Sequence, residues 1–96
     1  MALAWDPKKN EANREKHGLS VEEASTLFTS GVDYLELFDE AHSEGEDRFI
    51  AIGGIQRGVV VIVWTELDDG VVRIISARFA TRRESTYFER YLENQR

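Results

Sequence analysis

Two apolar segments joined by a turn constrain the fold of this chain more than any other feature. Residues 59–65 are apolar at almost every position, which is typical of a strand buried on both faces in the middle of a sheet. Asp69 and Gly70 form a typical hairpin turn, and residues 71–79 form the strand that follows it. The sequence therefore predicts an antiparallel hairpin at the centre of the fold.

Helix signals precede this hairpin. Asp6 is placed to cap a helix over residues 8–17, which is rich in helix-forming residue types. Ser20 and Glu23 have the spacing of a capping box, in which each residue bonds the backbone N–H of the other. They predict a second helix over residues 21–29.

The C-terminal segment shows the same helix signal. Thr81 and Glu84 form a second capping-box pattern. Behind it, Tyr87, Phe88 and Tyr91 have the spacing of one apolar helical face. We expect this helix to pack on the sheet through that face.

Two further strands, over residues 32–39 and 48–53, complete the predicted sheet. Short connections favour an antiparallel meander with the helices packed on one face. The predicted fold class is therefore α+β: two N-terminal helices, a four-stranded antiparallel sheet and a C-terminal helix, with residues 1–96 as one domain. One sheet face is left open.

Turn geometry gives a register for this sheet. A two-residue turn at 69–70 would pair Glu66 with Arg73, Val63 with Ser76, and Val61 with Arg78. If Gly54 pairs with Val59, the open face carries Arg48, Thr65, Ser76 and Arg78. The helix-covered face then carries Val60, Ile62, Trp64, Ile75 and Phe79. A slip of one residue would exchange the two faces.

The charge of the chain is negative overall but unevenly distributed. The net charge of −6 argues against a general nucleic-acid coat protein. Residues 33–47 contain seven acids and no Lys or Arg, whereas residues 73–83 contain four Arg and no acid. A local basic patch can still hold phosphate, and the acidic remainder suits a basic partner.

Several sequence features bear on the cellular compartment. The chain has no cysteine, and its first residues lack the basic start and apolar stretch of a signal peptide. Its longest apolar run, over residues 59–64, is far shorter than the ~20 residues of a membrane helix. We therefore expect a cytoplasmic protein with no membrane partner.

The residue types favour metal-free chemistry. The acids lie mostly in loops and turns, and residues 42–44 (HSE) lack a specific metal-ligand spacing. The chain has no cysteine nucleophile and no phosphate-binding glycine loop. The sequence predicts no metal site and no cofactor.

Arginines supply the parts for metal-free RNA cleavage. In that reaction the 2′-hydroxyl is the nucleophile, and cations stabilise the pentacovalent phosphorane. Arginine suits this role because it stays charged and binds phosphate through two donors. The candidates are Arg48, Arg78, Arg82 and Arg83. The alternative is that these arginines balance nearby surface acids.

The first helix offers further polar candidates. His17 is a candidate acid or base, although a histidine at a helix C-terminus also stabilises the helix dipole. Lys9 and Lys16 share one face of this helix with Asn13, as a polar contact surface or a solvated one.

Three blocks of sequence resemble the BrnT family of toxins. The first runs from Trp5 through residues 13–18 (NREKHG) to residues 22–24 (EEA). The second covers residues 42–53 (HSEGEDRFIAIG), and the third covers residues 74–84 (IISARFATRRE). The blocks follow the family's order and spacing across nearly the whole chain.

The resemblance implies a RelE-like fold and a toxin that arrests growth by metal-independent RNA cleavage. It also implies a BrnA-like antitoxin with a ribbon-helix-helix domain. The toxin would contact operator DNA only through this antitoxin. Family site residues would fall on Lys16, His17, Arg48, Ser76, Arg78 and Arg82.

We therefore predict a toxin endoribonuclease of a type II toxin–antitoxin system. Its predicted catalytic residues are His17, Arg48, Arg78 and Arg82, and its predicted RNA contacts are Lys9, Lys16, Ser76 and Arg83. The alternative is a non-catalytic interaction module that acts as a co-repressor with its DNA-binding antitoxin.

Overall fold

The computed structural model describes residues 2–95. Its elements in chain order are β1 (Ala2–Ala4), α1 (Pro7–His17), α2 (Val21–Ala24), α3 (Thr26–Thr29), β2 (Leu35–Phe38), a 3-10 helix (Glu40–His42), β3 (Phe49–Ile55), β4 (Gly58–Glu66), β5 (Val71–Phe79) and α4 (Arg82–Asn94). The strands form one mixed sheet in the order β1-β5-β4-β3-β2. The predicted α+β class is confirmed. Within residues 2–95, no helix is long and apolar enough to span a bilayer.

The predicted four-stranded antiparallel sheet is incomplete, because β1 adds a fifth strand. This strand runs parallel to β5 and pairs Ala2 with Val71 and Ala4 with Arg73. Leu3 packs against the core beneath it. A strand of three residues carries no readable alternation, so only its tertiary partner reveals it.

The predicted helix over residues 21–29 is also wrong in detail, because it is broken at Ser25 into α2 and α3. The Ser25 hydroxyl donates to the Glu22 carbonyl at 2.8 Å, and the Thr26 hydroxyl donates to the Glu23 carbonyl at 2.8 Å. Such bonds from hydroxyls to the backbone compete with a regular helix.

The predicted helix caps are present, with one change. Asp6 caps α1, and Gly18 ends that helix with a left-handed φ of 66°. Ser20 caps α2 by accepting from the Glu23 N–H at 3.0 Å. The Glu23 carboxylate completes no capping box, because it accepts two hydrogen bonds from Arg57 instead.

The helices pack on both faces of the sheet, which corrects the expectation of a single covered face. Helices α1, α2 and α3 cover the face that carries Val60 and Ile62, where the larger core lies. Helix α4 packs on the opposite face, against Val61 and Ile52. It does so through Phe88, Tyr91 and Leu92. Tyr87, predicted for this apolar face, is 55% exposed.

The register matches the prediction in the middle of the strands and departs from it at the turn. The pairs Gly54–Val59, Val63–Ser76 and Val61–Arg78 are observed. Near the turn, Thr65 pairs with Arg73 and Glu66 pairs with Val72, so the predicted Glu66–Arg73 pair is wrong.

Two compensating irregularities explain this register. The turn spans three residues, 68–70, because the Leu67 N–H bonds the Val71 carbonyl at 2.8 Å. Gly70 accommodates the turn with φ 74°. A bulge in β5 at Ile75, between the pairs Trp64–Ile74 and Val63–Ser76, then restores the predicted pairing. Ile74 is buried in the larger core, whereas Ile75, predicted there, lines the opposite face.

Helix α4 is tied to β5 at its first turn. The predicted capping box is present, with the Glu84 carboxylate accepting from the Thr81 N–H at 2.8 Å. The same carboxylate accepts from Arg78 through two bonds of 2.7 and 2.8 Å. These bonds lower the pKa of Glu84 to about 2, with the Arg78 bond contributing most.

The close approach of α3 to β3 gives a test of packing. A Cβ added at Gly53 would lie 2.5 Å from Leu27 Cδ1 and 2.8 Å from Tyr34 Cβ. We expect Gly53→Ala to lower the free energy of unfolding by about 1–3 kcal/mol, because the core must shift. Gly54→Ala is the matched control, since no atom lies within 4 Å of its added Cβ. Equal stability of the two variants in urea denaturation would contradict this account.

The Arg78–Glu84 pair gives a test of pH-dependent stability. Glu84→Gln keeps a side-chain acceptor for the cap but removes the charge, so we expect a loss of about 1 kcal/mol at pH 7. Folding lowers the pKa of Glu84 from 4.5 to about 2, so its stabilisation is complete above pH 4.5 and is lost as pH falls towards 2. Denaturation of both proteins across this range should show the difference disappearing. A difference that persists at pH 2 would show that the ion pair is not its source.

Candidate functional site

The part of the α4-bearing sheet face that α4 leaves uncovered forms a cleft of about 370 Å³. We call it the open-face cleft. It is lined by Asp39, His42, Arg48, Ile50, Val61, Val63, Ile75, Ser76, Arg78 and Glu84. The aliphatic side chains come from β3, β4 and β5, and the polar groups come from β5, the residues flanking β2 and β3, the 3-10 helix and α4. An apolar floor with converging polar groups is the usual form of a binding site.

Arg48 enters this cleft immediately before β3. Its Nη2 atom lies 3.5 Å from Glu46 Oε1, a long contact for an ion pair. Its Nε atom is buried and has no hydrogen-bond partner within residues 2–95. A buried charged donor without an acceptor is costly, so an anionic ligand that reaches this atom would gain a strong bond.

The loop before β3 holds Arg48 in place through Ser43. The Ser43 hydroxyl accepts from the Arg48 N–H at 3.0 Å and donates to the Asp39 carbonyl at 2.5 Å. The Asp39 N–H also donates to the Arg48 carbonyl at 2.9 Å. These bonds fix Arg48 and the 3-10 helix relative to each other.

Arg78 faces the same cleft but is already engaged. Glu84 binds both of its terminal nitrogens, and this hydrogen bonding raises the pKa of Arg78 and lowers that of Glu84. Arg78 Nη1 also donates to the Phe79 carbonyl at 3.3 Å. Of the five N–H groups of a guanidinium, two are thus left for a ligand. The neighbouring carboxylate offsets much of the positive charge that a phosphate would meet.

A histidine–aspartate pair lies at the edge of the cleft. His42 Nδ1 is 3.0 and 3.1 Å from the two carboxylate oxygens of Asp39. The Asp39 side chain is 12% exposed, whereas that of His42 is 71% exposed. A carboxylate at Nδ1 favours the proton on that nitrogen and leaves Nε2 as a proton acceptor. The pair therefore has the chemistry of an oriented general base.

Sequence reasoning missed Asp39, His42 and Glu84 as site residues. In the sequence, Glu84 shows only the spacing of a helix cap, and residues 42–44 show no spacing specific to a site. The spacing of Asp39 and His42, three positions apart in a short helical turn, was the available signal.

The structure brings together only some of the predicted site residues. Arg48, Ser76 and Arg78 line the open-face cleft. Arg82 and Arg83 line a separate shallow surface on α4, and Lys9 lines a small pocket beside Arg73.

Lys16 and His17 belong to the last turn of α1, on the other face of the sheet. Asn13 of the same helix bonds the backbone of Ala77, which is part of the larger core. Neither Lys16 nor His17 lines the cleft.

The arrangement of acids bears on metal binding. Within residues 2–95, no group of three or more His, Cys, Asp or Glu side chains is placed to hold a metal ion. The polar groups of the cleft are suited to binding an anion and moving a proton.

Comparison with known proteins gives two findings. A family model described as the ribonuclease toxin BrnT of type II toxin–antitoxin systems matches residues 5–84. The crystal structure of the Brucella abortus ribonuclease toxin BrnT superposes with a TM-score of 0.63 and 22% sequence identity, covering 85% of this chain and 99% of that chain. A search of curated protein sequences finds no match.

The two findings agree with each other and with the resemblance of the three sequence blocks. The structural likeness shows a shared fold, and the family model spans most of the chain, including every polar residue of the open-face cleft. This chain belongs to the BrnT family of ribonuclease toxins of type II toxin–antitoxin systems.

Proposed function

We propose that this chain, as a single toxin domain over residues 1–96, cleaves RNA without a metal ion and thereby arrests growth. The open-face cleft is its active site. The observation that carries the proposal is the convergence there of Arg48, Arg78 and the Asp39–His42 pair. Family membership supports the ribonuclease class, and the cleft supports the mechanism.

The reaction uses the RNA's own nucleophile. His42 Nε2 takes the proton of a 2′-hydroxyl, whose oxygen attacks the adjacent phosphorus. Arg48 and Arg78 stabilise the charge that grows on the phosphorane, and the Ser76 hydroxyl bonds a phosphate oxygen. The bond from phosphorus to the 5′ oxygen then breaks, and that oxygen takes a proton from solvent. The products are a 2′,3′-cyclic phosphate and a 5′-hydroxyl.

The remaining predicted site residues lie outside the cleft. Arg82 remains a predicted catalytic residue and Arg83 a predicted RNA contact, and both begin α4, the helix that supplies Glu84 to the cleft. Lys9 and Lys16 remain predicted RNA contacts on α1. His17 remains a predicted acid or base, and variants of both histidines test it against His42.

The partner of this toxin is a BrnA-like ribbon-helix-helix antitoxin, and the pair acts in the cytoplasm. The toxin reaches operator DNA only through that antitoxin. Membership of a type II toxin family supports an antitoxin, and the acidic surface of this chain supports a basic segment in it.

One observation favours a second function, that of a non-catalytic co-repressor. Glu84 occupies both terminal nitrogens of Arg78, which weakens its attraction for phosphate. A chain of this kind would bind the antitoxin and complete a repressor without cutting RNA.

The first test measures RNA cleavage by the antitoxin-free protein in EDTA. We expect the wild-type protein to cleave, and Arg48→Gln to cleave roughly 10²- to 10³-fold more slowly, because one anion-stabilising group is lost. Arg14→Gln is the matched control: it removes the same charge from α1, where Arg14 pairs with Glu11.

Two outcomes would contradict the proposal. Absence of cleavage by folded wild-type protein, on free and on ribosome-bound RNA, would favour the co-repressor. Cleavage that EDTA abolishes and Mg²⁺ restores would indicate a metal-dependent nuclease.

The second test separates the two histidines. We expect His42→Ala to lower kcat roughly 10²-fold or more, because the proposed general base is lost. Asp39→Asn should lower kcat with little change in KM, because it affects the orientation of His42. A large effect of His17→Ala with none of His42→Ala would assign the proton transfer to α1 instead.

A further inference from the structure

The outer face of α4 carries a basic stripe that lies outside the open-face cleft. Arg82, Arg83, Thr86, Tyr87 and Arg90 line one shallow surface there. Arg83, Tyr87 and Arg90 follow the spacing i, i+4, i+7, so they lie along one side of the helix. From Arg82 to Arg90 the stripe extends about 12 Å along the helix axis. We call it the α4 stripe.

The arginines of this stripe differ from the others in the structure. Residues 2–95 contain eight arginines, and five of them have a carboxylate within 4.0 Å. Within the same residues, Arg82, Arg83 and Arg90 form no such pair. In a chain of net charge −6, three cations without a carboxylate partner on one surface are suited to an external anion.

Tyr87 gives this surface a feature that simple charge balance does not need. Its side chain is 55% exposed, although its neighbour Phe88 is 6% exposed in the core. An exposed aromatic ring among arginines is the arrangement on which proteins stack the bases of single-stranded nucleic acid.

The stripe also lies on one side of the cleft. Strand pairing puts α4 near the end of the sheet where β4 begins and β5 ends. The hairpin end of the same strands carries Glu46, Asp47, Glu66, Asp68 and Asp69 around a common pocket. A phosphate chain leaving the cleft is repelled at the hairpin end and attracted along α4.

We propose that the α4 stripe binds the single-stranded RNA next to the scissile phosphate, with one base stacked on Tyr87. Arg82, Arg83 and Arg90 contact its phosphates. The substrate is therefore an unpaired segment several nucleotides long, because bases in a duplex cannot stack on a side chain. This inference rests on the proposed ribonuclease function, but its test measures RNA binding independently of cleavage.

The experiment measures fluorescence anisotropy of a labelled, fully 2′-O-methylated RNA of twelve nucleotides, which cannot be cleaved. We expect Tyr87→Ala to weaken binding roughly 5- to 100-fold, and Tyr87→Phe to bind like the wild type because the ring is kept. Arg90→Gln should weaken binding and reduce the dependence of log Kd on log salt by about 0.7, as for one phosphate contact. Arg14→Gln removes an equal charge from α1, and it should weaken RNA binding less than Tyr87→Ala or Arg90→Gln does.

A second measurement tests position relative to the cleft. On a cleavable RNA of the same length, Tyr87→Ala and Arg90→Gln should raise KM. They should leave kcat/KM for a dinucleotide unchanged, because a dinucleotide has no nucleotide beyond the two joined by the scissile phosphate. Unfolding in urea should be unchanged for both variants, since both side chains are exposed.

The outcomes separate this inference from the proposed function. RNA binding that depends on Tyr87 and Arg90, in a protein that does not cleave, would support the stripe and overturn the ribonuclease. Cleavage with RNA binding unaffected by Tyr87→Ala and Arg90→Gln would overturn the stripe alone. Loss of antitoxin affinity in these variants with RNA binding unchanged would also overturn it, in favour of a protein interface.

Discussion

The bulge in β5 determines which side chains of that strand face the open-face cleft. Without it, the three-residue turn at 68–70 would shift the pairing of β4 and β5 by one residue along the whole hairpin. Ser76 and Arg78 would then leave the cleft and enter the helix-covered core. The bulge absorbs the shift at Ile75, so that Ile74 and Ala77 are buried while Ser76 and Arg78 stay on the open face. The site therefore depends on a backbone irregularity rather than on a regular strand.

On the same face, the pairing that stabilises Arg78 opposes the catalytic role proposed for it. Its pairing with Glu84 joins β5 to the first turn of α4 and helps to hold α4 on the sheet. That pairing also places a carboxylate, which is charged at neutral pH, beside the position that the proposed reaction gives to the substrate phosphate. Arg48 is held less tightly, because its ion pair with Glu46 is 3.5 Å long and its Nε is unpartnered within the described chain. In the proposed reaction, Arg48 is therefore the arginine better prepared for a phosphate, and Arg78 would add orientation and partial charge.

Much of this fold could be predicted from the sequence, because it depends on interactions between residues that are close in the chain. Asp6, Gly18 and Thr81 mark helix ends because capping depends on a few neighbouring atoms, and the middle of the β4–β5 hairpin follows from its alternation. What could not be read depends on distant parts of the chain. Strand β1 forms by pairing with β5, which is distant in the sequence. The sheet face on which α4 packs is determined by tertiary contacts of its apolar side chains. For the site, the register predicted a shared face for Ser76 and Arg78, but no local pattern reveals that Asp39 and His42 meet them there.

Acidic and basic side chains occupy different parts of the surface, and this separation explains how a chain of net negative charge could act on RNA. At physiological ionic strength, charges on the surface are screened beyond about 8 Å, so the net charge of −6 has little effect on a phosphate already in contact. What that phosphate meets is the local set of groups, which is basic at Arg48 and along α4 and acidic at the hairpin turn. The net charge acts at longer range, where it slows encounter with bulk nucleic acid and disfavours non-specific binding. If RNA binds as proposed, an acidic ribonuclease of this kind gains selectivity, because only a segment that fits both the cleft and the α4 stripe offsets the repulsion from the rest of the surface.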